Sequence, residues 1–220
     1  MRVKLTELFE KHDPVMRRAL TPADDRIWIR PDQGDHSMYR PDPAVKDEFV
    51  QHALPLKASA VLVPIVERGN DYSVMLTKRS AQLKSHSGQV SFPGGRCDDT
   101  DAHAMQTALR EANEEINLPH ANVEVIGAME DYETVTGYTV SPVVGLVDPD
   151  FEIIPEKAEV ADVFEVPLDF ILNPKNHTIE NVMWKGAMRH YYVFPHDKHK
   201  IWGATAAMLV RFAKLVNTHA

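Results

Sequence analysis

Six residues carry the densest chemistry in the sequence: Arg110-Glu111-Ala112-Asn113-Glu114-Glu115. They fall within a stretch from Ala102 to Ile116 that lacks Gly and Pro and is expected to be helical. At about 100° per residue, Glu111, Glu114 and Glu115 share an arc of about 100° on one helix face. Like charges this close repel by about 0.2–0.5 kcal/mol per pair. A hard divalent cation offsets that repulsion, because Mg²⁺ and Mn²⁺ prefer carboxylate oxygens and keep waters that a phosphate can displace. Arg110 stands four residues before Glu114 and next to Glu111, where it can grip a carboxylate through two hydrogen bonds and fix its orientation. The plain alternative is a solvated acidic face.

Two neighbouring features add to the helix. Phe92-Pro93-Gly94-Gly95 reads as a turn ending a strand, and glycine lets backbone approach a ligand or offer a carbonyl to a metal. Before it lies a basic stretch, Arg79, Lys84 and His86, suited to contacting phosphates or else a solvated hairpin edge. A glycine loop, a short connection and an acid-bearing helix make a metal-and-phosphate arrangement. No GxxxxGK[ST] occurs, and no GxGxxG follows a strand, so neither the Walker loop nor the dinucleotide fingerprint is present.

These residues resemble the box of the Nudix hydrolases. Gly95 opens it, and Arg110, Glu111, Glu114, Glu115 and Leu118 fill its later positions. Three departures stand out. The interval from Gly95 to Arg110 is one residue longer, Asp101 stands where the first Glu belongs, and Asn117 replaces the final Gly. Asn tolerates the left-handed conformation a helix end needs. A second run, Leu76-Thr77-Lys78-Arg79-Ser80, then Gly88, then Phe92-Pro93-Gly94-Gly95, resembles the signature of the coenzyme A diphosphatase branch, with Met75 and Lys84 as its two departures. Glu159 to Leu168 and Ile201 to Ala206 are similar to that branch too, so the likeness spans about residues 56–216.

The resemblance implies an α/β fold, the α/β/α Nudix sandwich with a mixed β-sheet. It implies that Glu111, Glu114, Glu115 and the Gly95 carbonyl hold Mg²⁺ or Mn²⁺. It further implies that Arg110 orients the acids and that Arg79, Lys84, His86, Gly94 and Gly95 meet the substrate. The substrate would be a small molecule, coenzyme A or its thioesters, cleaved to 3′,5′-ADP and 4′-(acyl)phosphopantetheine. Another nucleoside diphosphate derivative such as ADP-ribose, or a non-catalytic binding module of the same fold, are the competing expectations. The general base is not fixed by the box; Glu130, Glu133 and Glu159 are candidates, with Glu159 preferred and Glu156 of similar standing to Glu130. Tyr132, Tyr138, Trp184 and Trp202 could stack on adenine but are expected in the core or an interface. His196 and His199 are expected in a surface loop.

The elements that must position these groups alternate between strand and helix. Residues 1–54 read as a proline-rich arm with a short helix from Thr6 to Lys11, and 55–220 as the Nudix domain. Ala58 to Glu67 and Tyr72 to Lys78 predict a hairpin around Arg68-Gly69-Asn70-Asp71. Val123 to Tyr132, Thr139 to Val147 and Val160 to Val166 predict further strands, the last followed by a short helix to Leu172. Thr178 to Trp184 and His190 to Phe194 predict a late hairpin, and Ala204 to Val216 a terminal helix. With 220 residues and 44% apolar content, a full core needs no metal or disulfide staple. The single Cys97 excludes an intrachain disulfide and fits a reducing, cytoplasmic setting.

The net charge of −8 disfavours nucleic acid and anionic membrane as partners. It says less about a small polyanion, because residues 73–97 carry +4 and residues 98–118 carry −5. No run reaches the ~20 apolar residues of a membrane span. Homodimerisation through the arm or the late hairpin is expected as a further partner interaction.

Overall fold

The computed structural model describes residues 1–10, 56–83, 85–184 and 187–219. The long strands arise where β-branched and aliphatic residues run without interruption. Strand β1 (Lys57–Arg68) turns through Gly69 and Asn70 into β2 (Asp71–Arg79), with Ile65 opposite Val74 and Arg68 opposite Asp71. Gly69 takes a φ of 66°, which the tight turn needs and a side chain would resist. Strands β1 and β7 (Tyr138–Val147) pair in parallel from Lys57–Tyr138 to Val66–Val147, while their other neighbours run antiparallel. The sheet is therefore mixed. Its order is β3 (Val90–Ser91), β2, β1, β7, β5 (Val123–Ala128), with β4 (Gly94–Arg96), β6 (Tyr132–Glu133) and β8 (Val160–Pro167) attached to β1, β7 and β2. Residues Ala60 to Val66 are buried apart from half-buried Val61, as expected of a central strand covered on both faces.

Among the described residues, one face of this sheet carries a single helix, α2 (Ala104–Ile116), over Ala60, Leu62, Met75 and Val143. The other face carries α1 (Arg2–Glu10), α3 (Leu168–Leu172) and α4 (Gly203–His219) over Val63, Ile65, Leu76 and Val144. This is the expected α/β/α sandwich. A second sheet, in the order β11 (His199–Trp202), β10 (Ala187–His196), β9 (Thr178–Trp184), packs against α4.

Two details differ from the sequence expectations. The short helix begins at Arg2, and its Leu5, Leu8 and Phe9 are buried in the main core, with Phe9 stacked on Phe212 of α4 at 6.4 Å. Residues 196–199 do not form a loop alone. They make a tight turn from β10 into the short strand β11, and His199 is buried with its ring flat against Phe164 at 3.7 Å. The Lys185-Gly186 turn lies outside the described residues.

Candidate functional site

The site is assembled where β1 changes partners. Its second half pairs with β2, but Ser59 to Val61 pair with β4, whose residues are Gly94, Gly95 and Arg96. Gly94 lies so close to β1 that a Cβ there would sit 2.5 Å from the Ala60 carbonyl oxygen and 2.6 Å from the Val61 Cα. Only glycine lets β4 seat at this depth, directly under α2.

Helix α2 comes close because Ala104, Ala108 and Ala112, spaced four apart, turn toward the sheet and are buried. Its ends are defined. His103 caps the start, its Nδ1 accepting from the Gln106 N–H at 3.2 Å, and Asn117 ends the helix in the left-handed conformation at φ 59°. Asn thus fills the place of the family's glycine in the conformation expected for it.

The three box acids fan from inside to outside. Glu115 is buried, at 3% exposure, and accepts the Gly94 N–H at 3.2 Å. Arg79 reaches it from β2, with Nη1 at 3.8 Å from Oε1. The Glu115 carboxyl is pushed up to about 7, chiefly by burial and then by Glu111 and Glu159, against the pull of the Gly94 N–H and Arg79. Glu111, one turn earlier, lies over Gly95, where a Cβ would fall 2.5 Å from its carboxyl carbon. Burial raises its pKa too, against the pull of Arg110. Glu114 faces solvent.

Arg110 organises the outer part. Its Nε and Nη2 donate to the two oxygens of Asp101 at 3.1 and 2.8 Å, and its Nη1 donates to Glu111 at 2.9 Å and Glu114 at 3.0 Å. The bidentate contact expected of Arg110 therefore falls on Asp101. That carboxylate is held well below the usual range, first by Arg110 and then by the Asp98 N–H and the Thr107 hydroxyl. Sequence reasoning took Asp101 only as an imperfect match to a box acid. Its position nine residues before Arg110, at the mouth of the helix, was the available signal for an anchor. The extra residue between Gly95 and Arg110 does not prevent this pairing.

Among the described residues no three acid, imidazole or thiol side chains converge closely enough to hold a metal ion as they stand. Arg110 spans Glu111 and Glu114 instead. Of the other candidates, Glu159 is the acid outside the box that bears electrostatically on both Glu111 and Glu115. Its carbonyl accepts the Ser80 N–H at 2.7 Å, which ties it to the end of β2 beside Arg79. Glu156 donates its N–H to the Glu115 carbonyl, and its side chain accepts from the Ala158 N–H. Glu130 is exposed, and Glu133 lies on β6 against β7.

His86 is exposed, at φ 56°, and its Nδ1 pairs with Gln89 Oε1 at 2.9 Å within its own loop. Lys84 lies outside the described residues. Arg79 Nε is buried and has no hydrogen-bond partner among the described residues, a donor left ready for an anion. Tyr132 is core, as expected, whereas Trp202 is 40% exposed. No helix of the described residues is long and apolar enough to cross a membrane.

Comparison with known proteins agrees with this architecture. The family described as NUDIX domain matches residues 56–186. A protein of Photorhabdus laumondii called "Uncharacterized Nudix hydrolase NudL" is 41% identical over 158 residues, covering 72% of this chain and 84% of its own length. A protein of the same description from Escherichia coli K12 is 39% identical over 171 residues, covering 78% of this chain and 86% of its own. Among solved structures, a Nudix hydrolase from M. smegmatis, RenU, shares the fold with a TM-score of 0.52 at 19% identity, over 74% of this chain and 88% of that one.

Proposed function

The chain belongs to the Nudix hydrolase family and is a hydrolase of diphosphate bonds, and from that premise we propose that its substrate is coenzyme A or a coenzyme A thioester. The products would be 3′,5′-ADP and 4′-phosphopantetheine or its acyl form. The observation that carries the reading is the placement of one sequence run. Leu76 to Gly95 folds as β2, a loop, β3 and β4, and it delivers Arg79 and Gly94 onto the same acid, Glu115. That run is the one resembling the coenzyme A diphosphatase signature.

The residues suit a divalent ion. Glu111 and Glu115 are two desolvated carboxylates, Glu111 adds to the rise of Glu115, and Arg79 at 3.8 Å offsets the inner one only in part. Such a pair favours a hard dication over continued exposure to its own repulsion. Glu111, Glu114, Glu115 and the Gly95 carbonyl would hold Mg²⁺ or Mn²⁺. When bound, the metal would neutralise charge on the diphosphate and lower the pKa of a water.

The chain's own groups do the rest. Gly94 fixes the Glu115 carboxylate by its N–H. Arg110, locked on Asp101, keeps Glu111 and Glu114 aligned. Arg79 would turn its free Nε donor to a phosphate beside Glu115, and Lys84 and His86 would contact further substrate phosphates. Glu159, the acid outside the box that bears on both Glu111 and Glu115, would accept a proton from water. A single cysteine of intermediate exposure is consistent with a reducing compartment such as the cytoplasm.

The test is product analysis with coenzyme A, acyl-coenzyme A, ADP-ribose and a nucleoside triphosphate, each with and without Mg²⁺ or Mn²⁺. Metal-dependent release of 3′,5′-ADP from coenzyme A at the highest kcat/KM is expected. Faster turnover of ADP-ribose or a triphosphate would replace the substrate. Tight coenzyme A binding without turnover would make the protein a binding module.

A further inference from the structure

The second sheet ends in an open edge. Its order is β11, β10, β9, so among the described residues β9 pairs on one side only, with β10. Among the described residues the outward main-chain groups of Thr178–Trp184 thus lack a strand partner. Soluble proteins blunt such edges with proline, lysine or a bulge. Strand β9 reads Thr-Ile-Glu-Asn-Val-Met-Trp and has none of these, only the single charge of Glu180. Its surroundings are unusually apolar. Ile179 is 55%, Val182 43%, Met183 62% and, on β10, Met188 43% exposed, four of the nine large hydrophobic residues exposed among the described ones. Met183 and Met188 are direct cross-strand partners, and Ile179, Asn181 and Met183 share their face by alternation.

We propose that β9 pairs antiparallel with β9 of a second copy of this chain, on a two-fold axis at Asn181, joining two three-stranded sheets into one of six strands. The strand's own sequence selects this register. Directly opposed residues must lie on the same face, so the axis passes through a residue and not between two. An axis at Glu180 sets Ile179 against the partner's Asn181 and brings two carboxylates, each already paired with Lys200, face to face with no further cation between them. An axis at Val182 sets Asn181, and not Ile179, against the partner's Met183, and so unpairs the two most exposed apolar side chains of the strand. An axis at Asn181 sets Ile179 against the partner's Met183, Glu180 against the partner's Val182, and amide against amide at the centre. Met188, beside Met183, extends the apolar patch on each side of the seam. The two Asn181 carboxamides can hydrogen-bond each other and fix the register, while His190 Nδ1 at 2.5 Å already holds each Asn181 Oδ1 in place.

The experiment uses the full chain in a Cys97→Ser background. Residues opposed across an antiparallel seam have Cα atoms about 4.5–5.5 Å apart, inside the disulfide range of about 4.4–6.8 Å. Oxidised Asn181→Cys is expected to run as a covalent dimer. Thr178→Cys, whose copies would lie about 20 Å apart along the seam, is expected not to. By sedimentation or light scattering the unmodified chain is expected to be a dimer and Met183→Lys a monomer that keeps metal-dependent hydrolysis and its circular dichroism. Ile154→Lys, on an exposed apolar residue elsewhere, is expected to stay dimeric. A wild-type monomer, a dimeric Met183→Lys, or a dimer whose Asn181→Cys copies fail to join overturns the proposal, and points instead to another register, another surface or another partner.

Discussion

Replacing Glu115 by Gln is expected to stabilise the metal-free protein while removing its activity. In the folded chain this carboxyl titrates at about 7, against an ordinary 4.5, chiefly because it is buried. Between those two values the folded state holds a proton that the unfolded state has released. Stability therefore falls as pH rises through this window, and is fully present only below about 4.5. The span corresponds to about 3 kcal/mol at about 1.4 kcal/mol per pH unit. Gln stays neutral at every pH and can still accept the Gly94 N–H.

In EDTA, Glu115→Gln should therefore exceed wild type by about 3 kcal/mol at pH 8, and match it near pH 4. For a domain of this size that is a rise of about 6–12 °C in melting temperature at pH 8. Urea denaturation at pH 4, 6 and 8 measures it. Saturating Mg²⁺ should reverse the order at pH 8, by stabilising wild type alone. Equal stability of the two proteins at pH 8 in EDTA, or a larger gap at pH 4 than at pH 8, refutes the idea that Glu115 is a strained, desolvated carboxylate awaiting a cation.

Other outcomes follow from the same geometry. Glu114→Gln should leave the melting temperature nearly unchanged, because the side chain is 59% exposed, yet lower metal-dependent hydrolysis by about 10²-fold or more. The two glycines should separate in kind. Gly95→Ala displaces the Glu111 carboxylate and should cut activity with modest loss of stability, whereas Gly94→Ala drives a methyl into β1 backbone and should unfold the protein at moderate temperature; parallel melting and rate measurements distinguish them. Asp101→Asn removes the charge that anchors Arg110 and should cost about 1.5–3 kcal/mol. Its effect should vanish in acid as the wild-type Asp101 itself protonates, and a pH series of unfolding curves tests this.

Much of the site was legible because its signal is local. Helix α2, its acids and the left-handed Asn117 all follow from spacing within sixteen residues, and the β1–β2 hairpin follows from alternation around Gly69. What escaped depends on contacts far apart in sequence. Strand β11 was hidden because His-Asp-Lys-His is polar, and only the ring of Phe164, thirty-five residues earlier, makes a buried place for His199. The anchoring of Arg110 on Asp101 needed the helix start to be known. That the acids divide into one buried, one half-buried and one exposed group depended on how deeply β4 seats in β1, which no helical projection contains.

The stacking of Phe9 on Phe212 also has a bearing on biogenesis. Of the described elements α1 is synthesised before the sheet and α4 after it, so Phe9 and Phe212 lie about two hundred residues apart in the chain. Until α4 is made, α1 has only the β5 side to pack against, where Phe9 lies on Gly127. Nascent chains halted before α4 should carry α1 only partly covered on a sheet face still unfilled, an invitation to chaperone capture. Closure of the described domain thus waits on α4, the later of the two helices that meet at Phe9 and Phe212.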